Sequence, residues 1–279
     1  MRGLTSIEEA TNKDRELCLG VLSGIYWKTS PDLWEKLETG FEIIPEKLRL
    51  RIFTEKDSET FTSISPTFKL KLRREQEKNT VLELKNASMK ELFEKEFNPL
   101  TRALLAFRLL KAGGIFLDCV YLIEGGMIRR IIFPPEPGFL PGYEFGLDEL
   151  ENLIAVQEKV QEVDFDKDSS FRIACTRFRR SYLDRFDEDK LIDLCIAFEA
   201  LFFQGKWVNG PMGQAIGSRC SELLGKNPDE RDMIKKNIEL AFSLRNAVVH
   251  GRDFKFEKIY TLNPDIEGYL RRSILRLIP

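Results

Sequence analysis

Apolar and polar residues in the first half of the chain follow two different periods. In LRLRI at 48–52 and FKLKL at 68–72, apolar and basic residues alternate, so that one face of each segment is apolar. This period of two predicts half-buried antiparallel strands. Two further β-rich runs, 114–123 and 127–133, are separated by Glu124-Gly125-Gly126. Because glycine adopts the positive φ that a tight turn requires, these runs predict a β-hairpin.

Helical spacing of apolar residues occurs elsewhere in this half. It predicts helices over residues 7–22, 89–111 with an interruption at Pro99, and 147–163. Because strands and helices are mixed, the pattern predicts an α+β domain over residues 1–165.

A short polar segment at 163–170 separates this domain from the rest of the chain. Strand signals almost disappear after it, so we expect a linker and a domain boundary there. Its alternating aspartates suggest a calcium loop that starts at Asp164. Ser169 and Cys175 stand where such a loop needs glycine and glutamate, which excludes calcium.

The second half shows mainly helical periods, and we expect four or five helices from Phe171 onward. Asp187 is the expected N-cap of one helix. The segment 227–230 reads as an Asn N-cap, a proline at the first helical position and a nearby glutamate, and it opens a helix that ends at His250. The last helix is expected between residues 264 and 278. These elements predict an antiparallel helical bundle over 171–279.

The overall charge changes this picture little. The 279 residues include 43 basic and 45 acidic side chains, a net charge of -2. The chain as a whole therefore does not attract polyanions, and any nucleic-acid contact needs a local basic patch. The single histidine, His250, excludes sites that need two imidazoles. We predict no metal and no cofactor.

The cysteines and apolar runs indicate the compartment. Five cysteines without a CxxC pair favour free thiols in a reducing environment. Cys195 and Cys220 lie on apolar stripes, which disfavours a thiolate paired with the histidine. The first residues lack the basic region of a signal peptide. The longest apolar run, 113–123, is shorter than the roughly 20 residues of a membrane helix. These features predict a cytoplasmic protein with no membrane partner.

Three polar residues near the end of the 228–250 helix could carry chemistry. Arg245 falls within the apolar stripe, where an arginine is costly unless it is paired. Asn246 and His250 are one turn apart on a neighbouring face. Arg245 and His250 differ in direction by about 140° on an ideal helix. Both can therefore serve one site only at the edge of a groove, between helices or between subunits.

The segment Leu244 to Gly251, LRNAVVHG, resembles the R-x4-6-H motif of HEPN domains. LIDLCIAFEAL at 191–201 and IGSRCSELL at 216–224 are similar to the earlier helices of the Apea-like HEPN branch. The resemblance covers residues 171–279. It implies a compact all-α domain, usually a homodimer. In many members two such motifs meet at the dimer interface and cleave RNA without a metal, while other members are silent interaction or nucleotide-binding modules.

The resemblance assigns a role to each residue of the motif. RNA cleavage without a metal needs a proton acceptor, a proton donor and a cation for the developing phosphorane charge. His250 would be the general base or acid, and Arg245 the clamp on the phosphate. Asn246 would orient the histidine or the phosphate, and the second motif of a homodimer would complete the proton transfer. A role in defence, or one like that of a toxin, is implied by the resemblance alone.

A structural interpretation of the same residues stays open. A histidine followed by glycine can simply end a helix, and Arg245 can pair with Glu199 on another helix. Arg219 also lies among apolar positions. We expect Glu199 and Arg219 to form buried interhelical ion pairs rather than to take part in catalysis. The domain would then be a non-catalytic module for dimerisation or for binding a nucleotide or other ligand.

A group of arginines on the first helix of the second half is the candidate RNA-binding surface. It consists of Arg172, Arg179 and Arg180, with further arginines nearby. Phosphate contacts need such a patch. The alternative is a solvated helix face whose charge is balanced by the aspartates that follow it.

Overall fold

The computed structural model describes residues 17–28, 30–66, 79–133, 142–204 and 210–278. Within these ranges it contains eight strands and ten helices, which confirms a mixed α+β protein. The chain divides into two compact units. The first holds the described residues up to 107, 113–133 and 142–158, and the second holds 108–112 and 159–278. The predicted boundary near 165 therefore lies inside the second unit, where Asp168 caps the following helix by accepting a hydrogen bond from Phe171 N.

The first unit is built mainly from a sheet. Its strands are β1 Leu17–Ser23, β2 Ile25–Trp27, β3 Phe41–Ile44, β4 Leu48–Ile52, β5 Thr80–Lys85, β6 Phe116–Glu124, β7 Met127–Ile132 and β8 Tyr143–Phe145. Its helices are α1 Pro31–Thr39, α2 Glu55–Ile64, α3 Met89–Phe93, α4 Pro99–Leu110 and α5 Leu147–Glu162, with the last residues of α4 and α5 in the second unit.

Six strands form one antiparallel sheet in the order β3-β4-β5-β1-β6-β7. The short strands β2 and β8 pair in parallel as a separate ribbon. Leu19, Val21, Phe61 and Tyr121 belong to the core cluster on one face of the large sheet. The strand predicted at 48–52 is confirmed as β4, but it is not half-buried as expected, because Arg51 on its second face is buried.

The helix predicted over 7–22 is wrong where the structure describes it. Residues 17–22 form β1, which pairs with β5 on one side and β6 on the other. Both faces of β1 are covered, since six of its seven residues are buried, so its sequence is a continuous apolar run without alternation. Residues 7–16 lie outside the described residues, as does the strand predicted over 68–72.

The β-hairpin predicted around 124–126 is confirmed. Glu124 pairs with Met127, and the two residues between them, Gly125 and Gly126, have φ of 55° and 72°. Only glycine adopts two such values in succession without strain. The predicted helices at 89–111 and 147–163 are also confirmed, as α3, α4 and α5, with Pro99 as the first residue of α4.

The described residues of the second unit form helices and no strand. They are α6 Ser169–Arg180, α7 Asp187–Phe203, α8 Met212–Leu224, α9 Pro228–Val249 and α10 Phe256–Leu277. The predicted start of α9 is confirmed, because the Asn227 side chain accepts a hydrogen bond from Glu230 N and Pro228 follows it. Phe186, not Asp187, is the N-cap of α7.

The last helix begins eight residues earlier than predicted. Pro264, expected near its start, lies inside α10. A proline inside a helix removes one backbone donor, and that donor would have bonded the carbonyl of Tyr260. Tyr260 is exposed, so solvent can satisfy this carbonyl.

Candidate active site

The R-x4-H segment occupies the last turn of α9 and its cap. His250 is the C-cap, and Gly251 follows with φ of 62°. Gly251 N donates to Val248 O at 3.2 Å and Arg252 N donates to Ala247 O at 2.8 Å. This pair of backbone hydrogen bonds ends a helix sharply and requires the left-handed conformation that glycine supplies. It fixes the histidine at a defined position where the chain leaves the helix.

Arg245 belongs to α9, and its side chain reaches toward Glu199 on α7. Its Nη1 donates to Asn246 Oδ1 at 3.1 Å, and its Nη2 lies 3.8 Å from Glu199 Oε1, beyond hydrogen-bond distance. Its Nε is enclosed and has no hydrogen-bond partner among the described residues. About a quarter of the side chain, 26%, remains exposed. The guanidinium is therefore held in place while part of it stays accessible.

His250 and Asn246 are both exposed. Within the described chain, no hydrogen bond or ion pair involves the imidazole, and the backbone N–H of His250 donates to Asn246 O at 3.1 Å. The structure thus brings Arg245 and Asn246 into direct contact. It places His250 one turn further along, without a bond from its side chain to either.

Glu199 and Arg219, both expected in structural ion pairs, have different surroundings in the structure. Glu199 faces Arg245, but the pair is loose and is not buried as expected, because the two side chains are 32% and 26% exposed. Arg219 is exposed rather than buried, and no carboxylate in the described ranges pairs with it. It donates from Nη1 to Phe202 O at 2.6 Å and lies 4.3 Å above the ring of Phe203. The last carbonyl groups of a helix lack partners within it, so this arginine binds the end of α7.

One carboxylate pairs with two of the four arginines of α6. Asp193 on α7 is almost fully buried; its Oδ1 accepts from Arg177 Nη1 at 2.7 Å and its Oδ2 lies 3.2 Å from Arg180 Nε. Arg179 is half-buried. Arg172 alone among the three predicted RNA-binding residues is exposed with no ion pair to a described residue. Nothing in the sequence pattern indicated Asp193, which lies between two apolar residues of α7.

Asp184, just after α6, has an unusual environment. Its Oδ2 is enclosed and has no hydrogen-bond partner among the described residues. Burial and the neighbouring charge of Asp193 raise the pKa of this carboxyl to about 6. This group was missed by the sequence analysis, because its raised pKa depends on burial and on the neighbouring Asp193 of α7.

The cysteines offer no alternative nucleophile. Cys195 and Cys220 are both fully buried. Burial raises the pKa of Cys195 strongly and that of Cys220 to about 11, which agrees with the expectation that neither forms a thiolate. In the part of the chain that the structure describes, no three His, Cys, Asp or Glu side chains cluster as a metal site would require.

Comparison with known proteins returned no relative. No family model matches the chain, no curated protein is similar to it, and no solved structure matches its fold. Among the described helices, none has both the length and the apolar composition needed to cross a membrane.

Proposed function

We propose that the second unit is a metal-independent endoribonuclease of the HEPN type, whose site consists of Arg245, Asn246 and His250. The observation that carries the proposal is the exposed imidazole at the cap of α9. It has no competing bond to a described residue and lies one turn from the amide that holds the arginine. An imidazole that is free to reach substrate is what general acid–base catalysis requires.

The contacts around Arg245 fit a phosphate clamp. Asn246 occupies one Nη1 donor, and the carboxylate of Glu199 is too distant to occupy another. The tip of the guanidinium therefore keeps donors for phosphate oxygens, and its permanent charge would stabilise the phosphorane. Asn246 positions the arginine rather than the histidine, which refines its expected role.

A homodimer through the second unit is part of the proposal. One exposed histidine can serve as base or as acid, and a second copy would supply the complementary group. Exposed apolar side chains border the motif, and such surfaces often mark interaction sites. They are Val249, Phe254, Phe256 and Tyr260. Arg172 is the proposed outlying phosphate contact, and a cytoplasmic defence role remains an implication of the resemblance.

The approach of Glu199 to Arg245 supports a second candidate function. If that pair and the cap at His250 serve only to join helices, the domain is a non-catalytic module for dimerisation or ligand binding. The two functions differ in what removal of Glu199 does. A structural pair predicts that Glu199→Gln destabilises the fold as much as Arg245→Ala does. A phosphate clamp predicts a folded Glu199→Gln variant that still cleaves RNA.

The test is cleavage of a panel of RNAs by the purified chain in EDTA. His250→Ala and Arg245→Ala should each lower the rate by about 100-fold or more while remaining folded. Lys236→Ala is the matched control, because this lysine is exposed on α9 and pairs only with exposed Asp232. Oligomeric state and far-UV circular dichroism are measured on the same samples.

Cyclic-phosphate ends from the wild type, together with loss in both variants, would support the nuclease. Cleavage that survives His250→Ala would remove the histidine from the mechanism. An inactive wild type whose Arg245→Ala and Glu199→Gln variants both unfold would favour the structural module.

A further inference from the structure

The strand β7 is the last strand of the large sheet, and no described strand pairs with its outer edge. Phe133 N donates to Asp118 O, and Glu124 pairs with Met127, so the odd-numbered residues of β7 bond to β6. In an antiparallel ladder the alternate residues direct their N–H and C=O groups away from the partner strand. These residues are Ile128, Arg130 and Ile132, and none of them makes a backbone hydrogen bond to another described residue.

Sheet edges in monomeric proteins are normally blunted by proline, by a bulge, by short length, by charged side chains or by a covering helix or loop. The strand β7 has no proline, no bulge and no shortening, but it carries the charged residues Arg129 and Arg130. It is six residues long, its register with β6 is unbroken, and Met127 and Ile132 are 57% and 61% exposed. A long and partly apolar edge that no described strand occupies is a template for another strand.

An apolar cavity of about 230 Å³ lies beside this edge. Its lining is formed by Leu92, Leu100, Leu117, Val120, Ile131 and Phe133. The exposed Lys95 and Glu96 border it, so it opens to solvent. The polar groups of Asn98 and Thr101 at its rim are already engaged in local hydrogen bonds. The cavity therefore offers apolar surface for a large side chain.

The charge of the edge indicates what kind of strand it would accept. Arg129 and Arg130 are both exposed, and neither forms an ion pair with a described residue. Carboxylates directly opposite them on an added strand would be favourable, and like charges unfavourable. A second copy that paired antiparallel about Arg130 would place this arginine opposite its own copy, which is unfavourable. The charge of the edge therefore favours an acidic segment over that pairing of two copies.

We propose that β7 is a docking edge for an extended acidic segment of a partner protein. The segment adds as a seventh strand and bonds to the outward groups of Ile128, Arg130 and Ile132. Its carboxylates face the two arginines, and a large apolar side chain beside them enters the cavity. The proposal concerns the first unit and does not depend on the nuclease.

Selection of short random peptides displayed on phage, with the full chain as bait, tests the proposal. The enriched sequences should share acidic residues next to one large apolar residue. Synthetic peptides of the consensus are then titrated against the chain by fluorescence anisotropy. Replacing their acidic residues with lysine should abolish binding.

Two variants of β7 locate the bound peptide. Arg130→Pro removes an outward N–H but no bond to β6, and proline is tolerated at such edge positions. It should weaken binding about tenfold or more, because a hydrogen bond is lost and the ring obstructs the added strand. Arg130→Glu should also weaken binding, and the lysine peptides should then recover it. Lys36→Glu, a charge reversal on exposed α1, should change nothing.

Circular dichroism and thermal unfolding confirm that each variant is folded. A selection without an acidic and apolar consensus would overturn the proposal, as would binding that Arg130→Pro leaves unchanged. A wild-type dimer in sedimentation that becomes a monomer in Arg130→Pro would assign the edge to a second copy and would also overturn it.

Discussion

Glu267 on α10 is the centre of a buried charge network in the second unit, and its replacement by glutamine should be strongly destabilising. Its carboxylate accepts from Tyr182 Oη at 2.7 Å and from Lys190 Nζ at 2.7 Å, and it also pairs with Arg271. Glu267 is 6% exposed. Glutamine keeps the shape and can still accept from the tyrosine, so the change removes mainly the negative charge.

The expected loss of unfolding free energy follows from the cations that remain without a carboxylate partner. Lys190 and Arg271 have side chains only 14% and 13% exposed, and without the carboxylate they form an uncompensated buried pair of cations. Breaking a buried pair in this way costs about 3–5 kcal/mol. We expect a value near the lower end, about 3 kcal/mol, because the tyrosine bond survives.

The dependence on pH has a definite sign. Burial acts to raise the pKa of Glu267, but Lys190 and Arg271 outweigh it and hold that pKa below its ordinary 4.5. A lowered folded pKa stabilises the protein above the unfolded pKa, and this stabilisation is lost as pH falls through the folded value. The wild type and Glu267→Gln should therefore differ most near neutral pH and converge in acid.

Urea unfolding followed by far-UV circular dichroism measures the difference, with Glu257→Gln as the control. Glu257 lies on the same helix but is exposed, so its variant should fall within about 0.5 kcal/mol of the wild type. A loss below about 1 kcal/mol in Glu267→Gln would refute the reasoning. So would an equal loss at acid and neutral pH.

Three further predictions concern other parts of the chain. Asp57→Ala should lower the free energy of unfolding of the first unit by about 3 kcal/mol in urea titrations, because the buried Arg51 guanidinium loses two hydrogen bonds of 2.6 and 2.7 Å to that carboxylate. Gly24→Ala should prevent soluble folding, since a Cβ there would lie 1.8 Å from a backbone oxygen; Gly125→Ala, with open space around it, should cost only about 1–2 kcal/mol in thermal unfolding. Asp184→Asn should raise the melting temperature near neutral pH and lose this effect in acid, because the raised pKa of Asp184 makes its ionised form unfavourable above about 6; an unchanged melting temperature across pH would contradict it.

Local chemistry made part of the fold predictable from the sequence. The hairpin at 124–127 follows from two adjacent glycines, and the start of α9 follows from Asn227 and Pro228. The strand β1 did not follow, because a strand covered on both faces has no alternation to detect. Pro264 led to a helix being predicted too short. Proline usually marks a helix end, but α10 is helical on both sides of it.

In the candidate site, too, local features were predictable from the sequence and contacts between helices were not. The bond between Arg245 and Asn246 joins sequence neighbours on one helix, and the exposure of His250 follows from the glycine after it. The approach of Glu199, 46 positions earlier by residue number, depends on how α7 and α9 pack. Helical period alone does not specify which residues of two helices meet, so the loose geometry of that pair had to come from the structure.

Under the proposed function, the distribution of charge bears on where RNA would contact the chain. Asp193 on α7 pairs with two arginines of α6, so one negative charge offsets part of the positive charge of that surface. The chain as a whole carries a net charge of -2 and does not draw polyanions from a distance. The connection from α9 to α10, in contrast, is exposed throughout, and its cations Arg252 and Lys255 form no ion pair with a described residue. Asp253 lies between them, and Glu257 and Lys258 follow in the first turn of α10. Phosphate contacts would then arise within a few residues of His250, because the same exposed connection carries both the imidazole and the unpaired cations.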